Sequence, residues 1–177
     1  MNHLKCFYFL VFVLVFQKVC SQDTLDINEV YIENDLVYKY SDNARFTGVT
    51  QMKRRKREVY FEEVYNDGII LFDYQYFKGS DRKLIYRTDY NRYKPWSKEK
   101  EFYYPKSGKW IQITSYDENG KKILVEQFEK EKLIYSCQYS GKKKNGQEIC
   151  YDEHGNQLIF QYVNGKILRV KNRKKSR

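Results

Sequence analysis

Along this chain an aromatic residue repeatedly stands three or four positions ahead of a glycine. The pairs are Tyr65/Gly68, Tyr76/Gly79, Tyr104/Gly108, Tyr116/Gly120, Tyr151/Gly155 and Tyr162/Gly165. Short aromatic and β-branched runs lie between the glycines, among them IILFDYQYF, KWIQITSY and QLIFQYV. Several alternate, with Trp110, Gln112 and Thr114 set against Ile111, Ile113 and Ser115. Period two is the pattern of a strand with two unlike faces. The turns read NDG, ENG, KNG, EHG and VNG, and Asn-Gly and its relatives supply the positive φ that tight hairpins need. A hairpin of this size cannot bury a face alone, whereas stacked hairpins can. The sequence therefore predicts an all-β fold, an elongated antiparallel sheet built from successive β-hairpin repeats, with little helix.

Three segments, YYPKSGK at Tyr103–Lys109, YDENGKK at Tyr116–Lys122 and YDEHGNQ at Tyr151–Gln157, resemble MORN-type repeats. More closely they resemble the variant bacterial MORN_2 repeats of proteins labelled YwqK-family antitoxins. LVYKYSDNARFTGV, Leu36–Val49, is similar to the lead-in of such arrays, a short strand running into Phe46-Thr47-Gly48, with Arg45 where the family has proline. The resemblance covers roughly residues 30–168. It implies a string of antiparallel hairpins and no catalytic mechanism; an antitoxin-like protein-binding module is an alternative function that rests on the family's label, with no residue motif here to carry it. EKEKL at Glu129–Leu133 departs from the pattern, since a turn glycine is expected there, and the register around Tyr86–Lys100 is obscured near Pro95.

The first residues read differently from the rest. Lys5 precedes an unbroken apolar run, Cys6–Phe16, too short for a bilayer span and the right length for a signal-peptide core. Val19 and Ser21 suit the positions before a cleavage at Gln22. The expected organisation is a signal peptide over 1–21, a MORN-like repeat domain over 22–168 and a basic disordered tail over 169–177. The mature chain is then exported to the periplasm, the envelope or beyond, with no transmembrane span. Lipidation at Cys20 is the alternative, although Gln17, Lys18 and Val19 fit its usual lead-in poorly.

The net charge is +10, and the cations cluster. Lys53, Arg54, Arg55, Lys56 and Arg57 are contiguous; Arg169, Lys171, Arg173, Lys174, Lys175 and Arg177 crowd the C-terminus with no acid among them. Such clusters attach to polyanions or remain solvated. Export argues against nucleic acid and leaves anionic lipid or envelope polysaccharide, with a protein as the other partner expected. His154 and the pairs Asp117/Glu118 and Asp152/Glu153 fall in turns. There they are expected to cap strands rather than bind metal or catalyse. No GxSxG, phosphate loop or CxxC is present, so no cofactor is expected. The sequence favours a non-catalytic binding or structural protein over an enzyme acting on a surface polymer. The deciding view is whether buried carboxylates converge in a pocket. One covalent feature follows from register. If Lys142–Asn145 is a hairpin loop, Cys137 faces Cys150 and a cross-strand disulfide is expected. The alternative is two unbonded thiols sharing a face.

Overall fold

The computed structural model describes residues 23–55, 57–79 and 81–173, with backbone alone over 171–173. The expected signal segment 1–21 with Cys20, and the candidate cations Lys56, Lys174, Lys175 and Arg177, lie outside the described residues.

The strands, in chain order, are β1 (Asp23–Asp26), β2 (Val30–Glu33), β3 (Leu36–Lys39), β4 (Gly48–Lys53), β5 (Val59–Asn66), β6 (Ile69–Tyr76), β7 (Leu84–Tyr90), β8 (Lys98–Tyr103), β9 (Ile111–Tyr116), β10 (Lys122–Glu129), β11 (Lys132–Ser140), β12 (Lys143–Tyr151), β13 (Gln157–Val163) and β14 (Lys166–Arg173). Twelve of them make one sheet in the order β1-β4-β5-β6-β7-β8-β9-β10-β11-β12-β13-β14; β2 and β3 form a separate hairpin. Among the described residues the one helical element is a single 3-10 turn, Ile27–Glu29. The predicted all-β sheet of successive hairpins is what the chain forms. The exception to antiparallel order is β1, which runs parallel to β4 because the β2–β3 hairpin intervenes between them.

The turns follow from backbone chemistry. Asp67-Gly68 and Asn164-Gly165 close two-residue hairpins with positive φ at both positions, 50° and 77°, then 49° and 84°. Such turns match the right-handed twist of the flanking strands. Lys130-Glu131 makes the same turn without glycine, at φ 47° and 67°, so the EKEKL segment keeps the hairpin despite its sequence. The obscure stretch near Pro95 is a loop between β7 and β8, closed by Asn91 N–H donating to Ser97 O at 2.9 Å. Bulges interrupt most ladders, and the residue after the shift is often aromatic: Tyr65, Tyr76, Tyr90, Phe128, Tyr139, Tyr162. A bulge bends the strand and increases its twist.

The core is small and sits at one end. Val37, Phe46, Tyr65 and Ile70 are buried together, with Leu25, Val30, Tyr90 and Trp96 against them. Gly48 belongs to that end: a Cβ there would overlap the Asp23 carbonyl and the Phe46 ring. Beyond it each strand's principal contacts are with its ladder neighbours, so the sheet stands as a single layer. Two expectations are corrected. The chain does not leave the fold at residue 168, since β14 runs to Arg173 and takes Arg169, Lys171 and Arg173 into the ladder with β13. The β11–β12 turn is Gly141-Lys142, not Lys142–Asn145, since Ser140 pairs with Lys143. That shift, with a bulge after Cys137, sets Cys137 opposite Glu148. Cys137 and Cys150 are free thiols, and the pairing registers place them diagonally on one face instead of bonded.

Candidate functional site

Following the registers from strand to strand picks out one continuous row: Thr50, Glu63, Asp73, Thr88, Glu101, Thr114, Val125, Cys137, Glu148, Phe160, Val170. Residues directly opposite each other point to the same face, so this row is the spine of one face. Much of it is buried although no second layer among the described residues covers it: Thr50, Asp73, Thr88, Thr114, Val125, Cys137 and Glu148 are all under 9 % exposed. Tyrosines lying two residues further along every second strand provide the cover. Tyr65, Tyr90, Tyr116, Tyr139 and Tyr162 follow Glu63, Thr88, Thr114, Cys137 and Phe160 in this way.

Tyrosines on these same strands supply hydroxyls to the spine, Tyr135 standing two residues before Cys137. Tyr65 donates to Glu63 at 2.7 Å, Tyr90 to Asp73 at 2.7 Å, and Tyr135 to Glu148 at 2.8 Å. Thr50 donates to Glu63 at 3.2 Å and Lys98 to Glu101 at 2.6 Å. Glu148 also holds Lys144. Burial raises the carboxyls of Glu63 and Asp73 above the usual range, and the neighbouring Asp73 charge adds to the rise at Glu63. At Glu148 burial also pushes upward, but the bonds from Lys144, Tyr162 and Tyr135 outweigh it and hold the carboxyl low. Burial and the bonded acids push the Tyr65 and Tyr90 phenols up. The other face carries a parallel device: Glu62 accepts from Tyr76 and pairs with Arg82, and Tyr76 is raised to about 12 by burial and by that bond.

The carboxylates are thus distributed, roughly one strand spacing of about 4.8 Å apart where they are adjacent, and each is engaged by neighbouring side chains. They do not line an open cleft of about 440 Å³ on the opposite face, formed by Trp110, Ile111, Ile113 and Phe128 with Lys109, Lys130 and Glu131. Among the described residues no group of three or more His, Cys, Asp or Glu is placed to hold a metal.

The turn acids have local work. Asp117 Oδ1 accepts from the N–H groups of Asn119 and Lys121 at 2.9 and 2.8 Å; Asp152 Oδ1 accepts from His154 and Asn156 at 2.9 and 2.7 Å. Both are turn caps of one design, and His154 is exposed on its turn. Glu118 and Glu153 lie in the same turns.

The basic candidates do not form one surface. Lys53, Arg55 and Arg57 are exposed around the β4–β5 loop. Arg54 is drawn back onto Glu58 at 3.2 Å, with its guanidinium 5.1 Å from the Tyr60 ring centre. Arg169 is exposed on β14, nine strand steps from β5, roughly 43 Å at about 4.8 Å per step. The spine itself escapes a reading by composition, because an acid in a strand reads as an outward residue. Its signal is the acid-or-threonine-x-tyrosine spacing seen at Glu63-x-Tyr65, Thr88-x-Tyr90 and Thr114-x-Tyr116. No family model matches the chain, and no curated protein matches it significantly.

Proposed function

We propose that this chain is a non-catalytic binding or structural module, exported to the cell envelope or outside and akin in kind to MORN-type repeats, that holds a polyanion at the β4–β5 loop. The observation that supports this is the state of its buried acids. Those of the spine are spread along a row and engaged by tyrosine, threonine and lysine partners, and Glu62 on the other face by Tyr76 and Arg82, whereas Lys53, Arg55 and Arg57 are exposed. An enzyme needs convergent groups with free valence; an adhesive module needs a rigid sheet and accessible charge. The open single layer supplies the sheet and the loop supplies the charge. No described helix is long and apolar enough to cross a membrane; in this reading contact with a lipid surface runs through that loop.

The test is co-sedimentation with vesicles of mixed anionic and zwitterionic phospholipid, and separately with an acidic polysaccharide. Each basic residue near an anionic surface is worth about 1 kcal/mol. Lys53→Gln, Arg55→Gln and Arg57→Asn together should therefore lower affinity about 100-fold. Asparagine suits the φ of 59° at position 57. Raising salt from about 50 to about 200 mM should weaken the wild type in the same direction. Binding that ignores both changes would reject the loop as the attachment surface.

A further inference from the structure

Among the described residues the sheet has two unpaired ends of opposite character. β14 closes one end and β1 the other. An edge strand carries a line of backbone N–H and C=O groups on its outer side, a template for another strand. Ile167, Leu168 and Val170 of β14 are 54, 65 and 52 % exposed, and Val163 beside them 45 %, an unusual concentration of uncovered apolar surface. The strand reads KILRVKNR, with four cations and no acid. Proteins blunt edges with short strands, proline or lysine. This edge runs eight residues and has no proline; its cations repel a second copy of itself but not an acidic strand. The opposite edge, β1, reads DTLD, two acids and no base, with Asp23 and Thr24 exposed. Asp23 has a lysine neighbour only at 3.9 Å, Lys39.

We propose that copies of this chain join head to tail, the acidic β1 edge of one against the basic β14 edge of the next, so that the sheet continues from molecule to molecule. The contact is heterologous and does not close on itself, so it yields open rows. It repeats between molecules the stacking that already joins strand to strand within one. Because β1 offers four residues against eight, each junction is small, and its strength rests on charge. This assignment goes beyond the proposed function, and the β4–β5 loop takes no part in it.

Sedimentation velocity of the purified protein over a range of concentrations tests it. The wild type should form a ladder of species beyond the dimer at about 50 mM salt and fewer at about 200 mM, as screening requires. Asp23→Lys and Arg169→Glu each place like charges at the junction, and each alone should weaken self-association about tenfold or more. An equimolar mixture of the two variants should assemble again. One junction then meets as in the wild type and the next with its charges exchanged. Both positions are exposed, so unchanged circular dichroism checks that the variants are folded. A monomer at every concentration, a closed dimer as the largest species, or variants that associate like the wild type would overturn the proposal.

Discussion

Phe46→Ala should cost about 3–5 kcal/mol, the usual penalty for removing a buried phenylalanine, and the damage should stay at one end of the molecule. Phe46 is 0 % exposed and its ring lies 5.8 Å from that of Tyr65. Its backbone joins two elements: the N–H donates to Val37 O at 2.9 Å, and the C=O accepts from Gly68 N–H at 2.8 Å. Gly68 is glycine for this contact, because a Cβ there would lie 3.0 Å from the Val37 carbonyl. Losing the ring therefore loosens the β2–β3 hairpin from the β5–β6 turn. In an array each unit depends on its neighbours, so stability is close to a sum of local terms. Amide exchange should accelerate at Val37 and Gly68 while Tyr135 and Ile159 keep their protection. Equal loss at all four would show a single cooperative unit and refute the regional account.

Asp73→Asn should stabilise the protein at pH 7 by about 1–2 kcal/mol, the order of the desolvation penalty of a buried polar group that lacks a partner. Asp73 is 5 % exposed, sits directly across from Glu63, and its Oδ1 is buried without a hydrogen-bond partner. Asparagine keeps an acceptor for Tyr90 and removes the like charge beside Glu63. The folded carboxyl is raised by burial, so the native state holds its proton to higher pH than the unfolded chain does. Stability associated with that proton is full below the ordinary carboxylate range and is lost as pH rises through the folded value. The gain from Asp73→Asn should accordingly be large at pH 7 and shrink as pH falls through that window. Asp42, Asp152 and the buried Glu148 shift downward and act in the opposite sense, but they are common to both proteins and cancel in the comparison. Urea midpoints of variant and wild type across pH measure it. A loss at pH 7 that fades as the acid protonates would mean that the Tyr90 bond requires the ionised carboxylate, and a loss that does not vary with pH would refute the account of Asp73 as a buried charge.

The hairpins were legible because their signals are local. Asp67-Gly68 and Asn164-Gly165 announce positive φ in the sequence, and alternation around Ile111–Ser115 announces a strand. Lys130-Glu131 is not legible, because neither residue prefers the left-handed region; the paired ends of β10 and β11 hold them there. Cys137 against Cys150 failed for a related reason. A two-residue turn and a four-residue turn differ in register, and the glycine at 141 is compatible with the shorter one. The two YDE segments, 35 residues apart at Tyr116 and Tyr151, read as a repeat but lie at opposite ends of antiparallel strands; they share turn chemistry. The structural repeat is a strand pair, seen in Tyr65, Tyr90, Tyr116, Tyr139 and Tyr162, with Tyr116, Tyr139 and Tyr162 each 23 residues apart. The β6–β7 connection and the loop at Asn91–Ser97 lengthen the two earlier spacings, to 25 and 26 residues, and conceal the period. The buried acids were hidden because what buries them comes from tyrosines on neighbouring positions and strands, which only the register brings together.

A single distance addresses the open, single-layer array most directly. Gln75 on β6 and Gln161 on β13 are both exposed and stand seven strand steps apart. Labels carried there on non-canonical amino acids, which spare Cys137 and Cys150, should lie about 34 Å or more apart at about 4.8 Å per step. A sheet folded onto itself would bring them to within about 10–15 Å, near the spacing of stacked sheets, and that result would contradict the account.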